Sequence, residues 1–396
     1  MKYRTDPKSG NQLSILGFGC MRFPRGINAK IDKDKTEKLV LSAIERGVNY
    51  FDTAHMYGAS EETLGEILDK NDARDKIFLA TKLPHRQCKG YEDFDKFLTE
   101  QLTRLKTGCI DYYLIHNLPD AASWEGLCGL GIKRWIKEIK ASGKIKQIGF
   151  SFHGAQNEFF ALLDAYEWDF CQIQYNYMNE NFQAGQAGLL KAHEKGLPII
   201  VMEPLLGGKL ATGLPKKAVK LFNGAGSGLS EAAWAMRWLW NQPQVTVVLS
   251  GMNSADQLAD NLKTAEDAVP GLLSDQESRI VSEVVSVVKE AYKIPCTGCN
   301  YCMPCHRGVN IPGIFAAYNS SYALGFVAGI TQYMTSMGGM AAEENNYSGR
   351  NCIKCGRCEK LCPQHIEISK CLEAATKRME PFWANAAFKL YFALMK

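Results

Sequence analysis

Eight short apolar runs, separated by longer amphipathic or charged segments, repeat between about residues 15 and 250. Their spacing of roughly 30 to 40 residues is typical of a strand followed by a helix. Eight parallel strands, each followed by a helix, close into a (β/α)8 TIM barrel, which builds its active site at the C-terminal ends of the strands. The sequence therefore predicts an α/β fold with this barrel as its main part. The predicted strands are SILGFGC, VNYFD, KIFLATK, IDYYLIH, KIKQIGFS, WDFCQIQ, LPIIVMEP and VTVVLSG.

Nearly every predicted strand ends in a polar or ionisable side chain, and these ends should meet at one rim of the barrel. Neighbouring strands supply a carboxylate, an ammonium group and an imidazole, from Asp52, Lys82 and His116. Each has a structural alternative, because an aspartate can cap a helix, a lysine can extend to water and a histidine can belong to the core. Their convergence on one rim favours a catalytic site. The other strand ends are Cys20, Met21, Ser151, Gln172, Gln174, Glu203 and Ser250.

Composition and charge exclude several classes of function. The chain has 396 residues with a formal net charge of +4 and no lysine or arginine run, so neither nucleic acid nor an anionic membrane surface is favoured as a partner. The opening MKYRTDPKSG lacks the apolar core of a secretory signal, and no stretch reaches the roughly 18 apolar residues of a membrane span. Fourteen cysteines in such a chain are expected to be reduced or metal-bound. These features predict a cytoplasmic protein that acts on small molecules.

Three motifs, GVNYFDTAHMYG, LATKLP and DYYLIHNLPD, resemble the aldo-keto reductases, and the resemblance runs from about residue 12 to residue 265. It implies hydride transfer between NAD(P)H and a small aldehyde or ketone, with Asp52, Tyr57, Lys82 and His116 as the catalytic set.

The chemistry of carbonyl reduction explains why such a set is needed. Hydride transfer leaves a developing alkoxide that must be protonated, and tyrosine, with a pKa of about 10, is a weak acid for that task. A lysine cation beside the tyrosine favours the phenolate, and an aspartate keeps the lysine charged. We therefore expect Tyr57 to donate the proton, with Lys82 and Asp52 tuning it, and His116 to orient the carbonyl group. The alternative for Tyr57 is an aromatic ring that only covers the barrel mouth.

Two stretches after the last predicted strands fit a coenzyme site. EPLLGGKL offers a glycine pair and a lysine for a pyrophosphate, and SGMNSADQLADNL leads into a helix whose free N–H groups would receive a phosphate. The resemblance assigns the second stretch to the adenosine end of the coenzyme. Gln257 has a second interpretation, because Ser254 and Gln257 also form a capping-box pattern. The expected coenzyme contacts are Cys20, Met21, Ser151, Gln172, Met202, Pro204, Leu205, Gly207, Gly208, Lys209, Ser250, Gly251, Asn253, Gln257 and Asn261.

The sequence departs from the family pattern at three coenzyme positions. Asn253 stands where many relatives have an arginine for the 2'-phosphate of NADP, which leaves the choice between NAD and NADP open. Met202 stands where an aromatic ring usually stacks on the nicotinamide. SFH replaces the Ser-Asn pair that usually holds the carboxamide, which leaves Ser151, His153 and Gln172 for that role.

Eight of the fourteen cysteines lie in two motifs near the C-terminus, CTGCNYCMPC and CIKCGRCEKLCP. The second has the C-x2-C-x2-C-x3-C-P spacing of bacterial ferredoxins, in which the fourth cysteine binds the neighbouring 4Fe-4S cluster. Structural zinc is the alternative, but zinc knuckles use two ligands each and these motifs carry four. The spacing favours two 4Fe-4S clusters, one held by Cys296, Cys299, Cys302 and Cys362 and the other by Cys305, Cys352, Cys355 and Cys358. Together with the barrel, this arrangement resembles aldo-keto reductases that carry a ferredoxin-like dicluster domain.

These patterns divide the chain into a barrel over residues 1–290 and a small, mainly helical dicluster domain over residues 291–396. The final segment places apolar side chains on one helical stripe, which favours a docking face over a membrane-surface helix. The alternative to an independent reductase is an electron-transfer or redox-sensing protein whose barrel binds coenzyme without reducing carbonyls itself. A ferredoxin or another redox carrier would then be its partner. The stripe consists of Phe388, Tyr391, Phe392 and Met395.

Overall fold

The computed structural model describes residues 1–26, 30–336, 347–362 and 364–381. Eight parallel strands close into a barrel, which confirms the predicted fold class, and each strand coincides with one of the apolar runs. The predicted stripe of Phe388, Tyr391, Phe392 and Met395 lies outside the described residues. The barrel strands, in chain order, are β3 (Leu16–Gly19), β4 (Tyr50–Asp52), β5 (Phe78–Leu83), β6 (Ile110–Ile115), β7 (Ile145–Phe152), β8 (Phe170–Gln174), β9 (Ile199–Met202) and β10 (Val247–Ser250), and β10 closes onto β3.

Side chains alternate between the barrel interior and the surrounding helices, as strand geometry requires. The interior contains a separate apolar cluster that includes Tyr50, Ala80 and Phe170. Residues two positions later on the same strands also face inward, and these are Asp52, Lys82 and Gln172. The rim therefore receives polar side chains because each follows an inward-facing apolar residue by one strand period.

A hairpin that the sequence analysis did not predict closes the opposite end of the barrel. Its strands are β1 (Tyr3–Thr5) and β2 (Gln12–Ser14), and Leu13 joins the interior cluster. The Tyr112 hydroxyl donates a hydrogen bond to Asp6 over 2.7 Å, which ties the hairpin to β6.

Helices surround the barrel, and several begin at side chains that cap their free N–H groups. Asp32 caps α1, Asp120 caps α4, Ser230 caps α10 and Ser254 caps α11. The helices up to residue 289 are α1 (Lys33–Glu45), α2 (Ser60–Lys70), α3 (Tyr91–Arg104), α4 (Ala121–Gly129), α5 (Ile132–Ala141), α6 (Gln156–Ala165), α7 (Gly185–Glu194), α8 (Lys209–Thr212), α9 (Lys216–Gly224), α10 (Glu231–Trp240), α11 (Ala255–Glu266) and α12 (Asp275–Lys289).

The C-terminal region is mainly helical where it is described between its cysteine motifs, as the sequence predicts. Its helices share a small apolar core that includes Ile294, Phe315, Tyr333 and Leu372, and seven cysteines pack against that core. Among the residues described, no helix is long and apolar enough to cross a membrane. The helices are α13 (Ile311–Ala323), α14 (Phe326–Ser336), α15 (Arg357–Lys360) and α16 (Ile368–Met379).

Candidate active site and cysteine motifs

A buried ion pair lies at the rim between β4 and β5. Lys82 Nζ is 2.5 Å from Asp52 Oδ1 and 2.8 Å from the Thr53 carbonyl oxygen. The Gln172 amide donates to the other oxygen of Asp52 over 2.9 Å. Burial alone would lower the pKa of Lys82, but the Asp52 carboxylate, together with the neighbouring Tyr57 hydroxyl, reverses this effect and raises it. Removing two charges from water is costly, and the added hydrogen bonds offset part of that cost.

Tyr57 lies over this ion pair, in the loop that follows β4. Lys82 Nζ is 5.0 Å from the centre of the Tyr57 ring. Burial raises the pKa of Tyr57, whereas the Lys82 cation acts in the opposite direction, as expected from the sequence. The tyrosine therefore stays protonated at neutral pH and remains able to donate.

His116 follows β6 and meets the Tyr57 ring edge-on, with 5.9 Å between ring centres and 87° between ring planes. Burial lowers the pKa of His116 well below its ordinary value, and the Lys82 cation lowers it further. The imidazole is therefore neutral, and one of its two nitrogens can donate a hydrogen bond. Asp52, Tyr57, Lys82 and His116 thus lie together, as the sequence analysis expected.

Two side chains proposed for the nicotinamide carboxamide already have partners. Ser151 Oγ accepts a hydrogen bond from the Asn117 backbone over 2.7 Å, and Gln172 is bonded to Asp52. Gln174, one strand period beyond Gln172, is 1% exposed and neither polar atom of its amide has a partner within the part of the chain described. A buried amide without partners is costly, so Gln174 is the candidate for contact with a bound molecule. Its inward position on β8 was readable from the sequence, but its free amide was not.

The glycine pair after β9 forms a tight turn, with φ of 67° at Gly207 and 92° at Gly208. Arg22 Nη1 donates to the Gly207 carbonyl oxygen over 3.1 Å. The stem of Arg22 also passes Gly251, where a Cβ would lie 3.2 Å from Arg22 Cδ. Arg22, to which no sequence motif pointed, therefore spans the two expected coenzyme loops. Lys209 follows directly, as the first residue of α8.

Hydrogen bonds tie the loop after β10 to α11. Asn261 donates to Ser250 Oγ over 2.8 Å. Gln257 accepts from the Asn253 backbone over 3.0 Å, and its own N–H donates to Ser254 Oγ over 3.3 Å. The capping pattern therefore forms, shifted by one residue on the Gln257 side, while Gly251, Asn253 and Gln257 remain exposed to a ligand.

The other expected coenzyme residues occupy different environments. Cys20 is buried, and burial raises the pKa of its thiol well above the ordinary range. Met21 is 59% exposed, while Met202 packs against the barrel interior. Pro204 is buried, and Leu205 is partly buried against the outer core.

The cysteine motifs are brought together by the small C-terminal core. A small cavity is lined by thiols of both motifs and by apolar side chains such as Phe315 and Ile366. This grouping is the crossed set expected for one cluster, and a soft, apolar thiol pocket fits an iron–sulfur centre. The thiols that line it are Cys296, Cys299, Cys302 and Cys362.

The two motif loops share one backbone pattern. Positive φ angles occur at Gly298 (72°) and Asn300 (62°) in the first motif, and at Lys354 (55°) and Gly356 (70°) in the second. Each pair flanks the second cysteine of its motif, so both loops wind in the same way. The two motifs share the C-x2-C-x2-C spacing, and non-glycine residues, Asn300 and Lys354, occupy two of the four left-handed positions.

The second set of thiols is less enclosed. Cys305, Cys352 and Cys358 pack against the small core, whereas Cys355 is exposed. Within the described ranges, no three cysteine, histidine or carboxylate side chains already stand in a metal-binding arrangement.

The first cysteine motif lies against the catalytic end of the barrel. Asn181, after β8, donates to the Thr297 carbonyl oxygen over 3.4 Å, and Asn300 donates to Gln156, at the start of α6, over 3.4 Å. Tyr347 donates to Asp120, which follows β6. The C-terminal region therefore covers the part of the rim formed by the loops after β6, β7 and β8.

A closed parallel barrel with a buried Lys–Asp pair, a tyrosine and a histidine at its rim defines the class of the protein, a TIM-barrel oxidoreductase. The chain belongs to the aldo/keto reductase family, which matches residues 15–284. Residues 295–367 match the 4Fe-4S dicluster domain. Family membership implies an NAD(P)H coenzyme and small carbonyl substrates, and the cysteines of a dicluster domain imply two 4Fe-4S clusters.

Individual relatives resemble the chain over about half to three quarters of its length. Aldo-keto reductase str7 from Strobilurus tenacellus is 32% identical over 219 residues, which are 52% of this chain and 62% of that protein. 6-Dehydroglucose reductase from Novosphingobium aromaticivorans is 29% identical over 280 residues, 64% of this chain and 86% of that protein. The holo form of aldo-keto reductase AKR11C1 from Bacillus halodurans has a similar fold, with a TM-score of 0.59, 24% identity, and coverage of 72% of this chain and 96% of that one.

Proposed function

We infer that the barrel reduces a small aldehyde or ketone with NAD(P)H, and that Tyr57 protonates the developing alkoxide. The coenzyme supplies the hydride, which goes to the carbonyl carbon while the carbonyl oxygen takes the Tyr57 proton. A carbonyl compound, NAD(P)H and one proton give an alcohol and NAD(P)⁺. The observation that carries this proposal is the Tyr57 ring between Lys82 Nζ, 5.0 Å from its centre, and His116, 5.9 Å away.

The charges around Tyr57 assign roles to its neighbours. Lys82 is held charged by Asp52, so its cation stabilises negative charge left on the tyrosine oxygen after proton transfer. His116 is neutral, so it donates a hydrogen bond to the carbonyl oxygen without competing as the acid. Gln172 holds the second oxygen of Asp52 and thereby keeps the carboxylate directed at Lys82.

The coenzyme should lie across the loops after β9, β10 and β3. Lys209 and Arg22 provide positive charge for the pyrophosphate, while Ser250, Asn261 and Gln257 keep the adenosine loop in shape. Because Asn253 is uncharged, we propose that the protein uses both NADH and NADPH. The free amide of Gln174 is proposed to bind a polar group of the coenzyme or the substrate.

The substrate class follows from the same free amide and from one relative. A relative at 29% identity is a 6-dehydroglucose reductase, and a hydroxylated carbonyl compound would give the buried Gln174 amide a partner. We therefore propose small hydroxylated aldehydes and ketones as the first substrates to assay.

The C-terminal region is proposed to begin near residue 290, after α12, and to hold two 4Fe-4S clusters. Cys296, Cys299, Cys302 and Cys362 would bind one cluster, because they line a common cavity. The second would be bound by Cys305, Cys352, Cys355 and Cys358. All fourteen thiols are unpaired, which suits the reducing cytoplasm that we propose as the location.

The alternative function, an electron-transfer protein whose barrel only binds coenzyme, is favoured by one observation. The first cysteine motif lies on the catalytic rim, where a cluster and the coenzyme would be neighbours. Anaerobically purified protein distinguishes the two functions. Aldehyde-dependent oxidation of NADPH without an added carrier supports the reductase, whereas activity that requires a reduced ferredoxin supports the alternative.

A further inference from the structure

We propose that a small acidic one-electron carrier protein docks on the second cysteine motif, at a surface formed by Ile353, Cys355, Arg357, Lys360 and Leu361. We call this surface the distal face. The proposal rests on the two clusters of the proposed function, and it adds the place where electrons enter and the kind of protein that delivers them.

The two cysteine motifs are not equivalent in position. The first is fixed to the barrel by the hydrogen bonds of Asn181 and Asn300. The contact is close, because a Cβ at Gly298 would lie 2.8 Å from the Asn181 carbonyl oxygen. The barrel would therefore obstruct a large docking partner that approached the first motif.

The second motif makes its side-chain contacts away from the catalytic loops, as far as the described residues show. Its described side chains bond within the C-terminal region, where Lys354 pairs with Glu373 at 2.8 Å and Glu359 accepts from the Ser369 backbone over 2.8 Å. Two large apolar side chains of this motif, Ile353 and Leu361, are each 58% exposed. Exposed apolar side chains beside a cluster ligand are typical of a contact surface rather than of a solvated loop.

The charge of the distal face selects the partner. Arg357 and Lys360 are exposed, and over the described residues neither has a carboxylate within ion-pair distance; the ion pairs of this region use other cations. Unpaired cations around an apolar centre attract an acidic surface and raise its association rate. A surface of five side chains suits a transient complex of the kind that redox carriers form.

The exposed Cys355 gives the electron a short path from such a partner. A cluster held in part by Cys355 would accept one electron from the carrier in each encounter, and the carrier would be oxidised by one electron with no bond made or broken. The first motif is hydrogen-bonded to the barrel, so a cluster held there would lie next to the catalytic rim. The two motifs thus define a direction, from the distal face towards the barrel.

Charge reversal on the distal face tests this proposal. The probe is reduced flavodoxin, an acidic carrier whose oxidation to the semiquinone has its own visible signal. We expect the rate of electron transfer from flavodoxin to the wild type, measured by stopped flow, to fall as the salt concentration rises. At low salt, the rate for the Arg357→Glu/Lys360→Glu variant should be lower than that of the wild type on the order of tenfold. A matched control, Lys133→Glu/Lys137→Glu, reverses two exposed cations on α5 and should leave the rate unchanged.

Two further measurements separate docking from cluster loss. Iron content should equal that of the wild type in both variants, and dithionite, which needs no docking surface, should bleach all three proteins at the same rate. The proposal would be overturned if flavodoxin reduced both variants at the same rate. It would also be overturned if dithionite bleached the wild-type protein but flavodoxin was not oxidised by it. Absence of iron from the wild type would instead contradict the proposed clusters.

Discussion

Replacement of Tyr57 by phenylalanine removes one hydroxyl group and leaves the surrounding packing in place. The ring keeps its edge contact with His116 and its position 5.0 Å from Lys82 Nζ. Lys82 keeps both of its oxygen partners, Asp52 and the Thr53 carbonyl. The variant should therefore fold and bind coenzyme like the wild type.

The expected loss of activity is large because no neighbour can replace the lost acid. His116 is neutral, since burial holds its pKa well below the ordinary value, and Lys82 is committed to two oxygens. General acids contribute about 10² to 10⁴ in rate, and we expect the upper part of that range, about 10³ to 10⁴. That loss equals about 4 to 5.5 kcal/mol of transition-state stabilisation.

The loss of activity is measured by steady-state reduction of an aldehyde with NADPH, and the coenzyme affinity is measured by fluorescence titration. We expect kcat to fall while the coenzyme Kd changes less than about twofold. Burial raises the pKa of Tyr57, so the donor stays protonated as pH rises and the wild-type reduction rate should be flat from about pH 6 to pH 9.

A hydroxyl elsewhere in the barrel provides the matched control. Tyr50 faces the interior two residues before Asp52, and its hydroxyl has no hydrogen-bond partner in the described part of the chain. Tyr50→Phe should therefore keep full activity. More than a tenth of wild-type turnover in Tyr57→Phe, with Tyr50→Phe unchanged, would refute the role of Tyr57.

Three more substitutions test the other sites. Asn253→Arg should shift the ratio of kcat/KM for NADPH over NADH upward by about tenfold, because it adds a charge-assisted phosphate contact; an unchanged ratio would mean that another cation already holds the 2'-phosphate. Cys362→Ala should lower the iron content from about eight to about four per chain, whereas Cys371→Ala, a nearby partly buried thiol outside the ligand set, should keep it at about eight. Gln174→Leu should raise the free energy of unfolding by about 1 kcal/mol, because it removes an unpaired buried amide, and should lower kcat/KM about tenfold; unchanged kinetics would show that the amide contacts neither coenzyme nor substrate.

The sequence predicted the barrel well because its main signal is local. Each apolar run becomes a strand, and the period of two residues along a strand carries Asp52 inward from Tyr50 and Lys82 inward from Ala80. Four catalytic candidates from three separate segments meet because parallel strands all end at the same rim. The spacing of the cysteines was sufficient to identify the dicluster domain for the same reason, because this spacing depends only on neighbours in the chain.

The features that sequence reasoning missed depend on contacts between distant segments. Arg22 bonds to Gly207, far along the chain, and the free amide of Gln174 is a property of everything around it. The N-terminal hairpin was missed because its strands are only three residues each, too short for a periodic pattern. Gln172 was expected at the carboxamide, but its bond to Asp52 could be seen only once β4 and β8 had been placed in one barrel.

The hairpin of β1 and β2 also affects which end of the barrel is open to ligands. Because side chains fill the barrel interior and the hairpin covers one end, substrate and coenzyme should both bind at the other end, where the first cysteine motif contacts the loops after β7 and β8. Gly207, Gly251 and Asn253 remain exposed, so coenzyme can exchange without displacing the cysteine region. We expect the substrate to enter beneath that region, so the region should limit the size of the carbonyl compounds admitted without limiting coenzyme exchange.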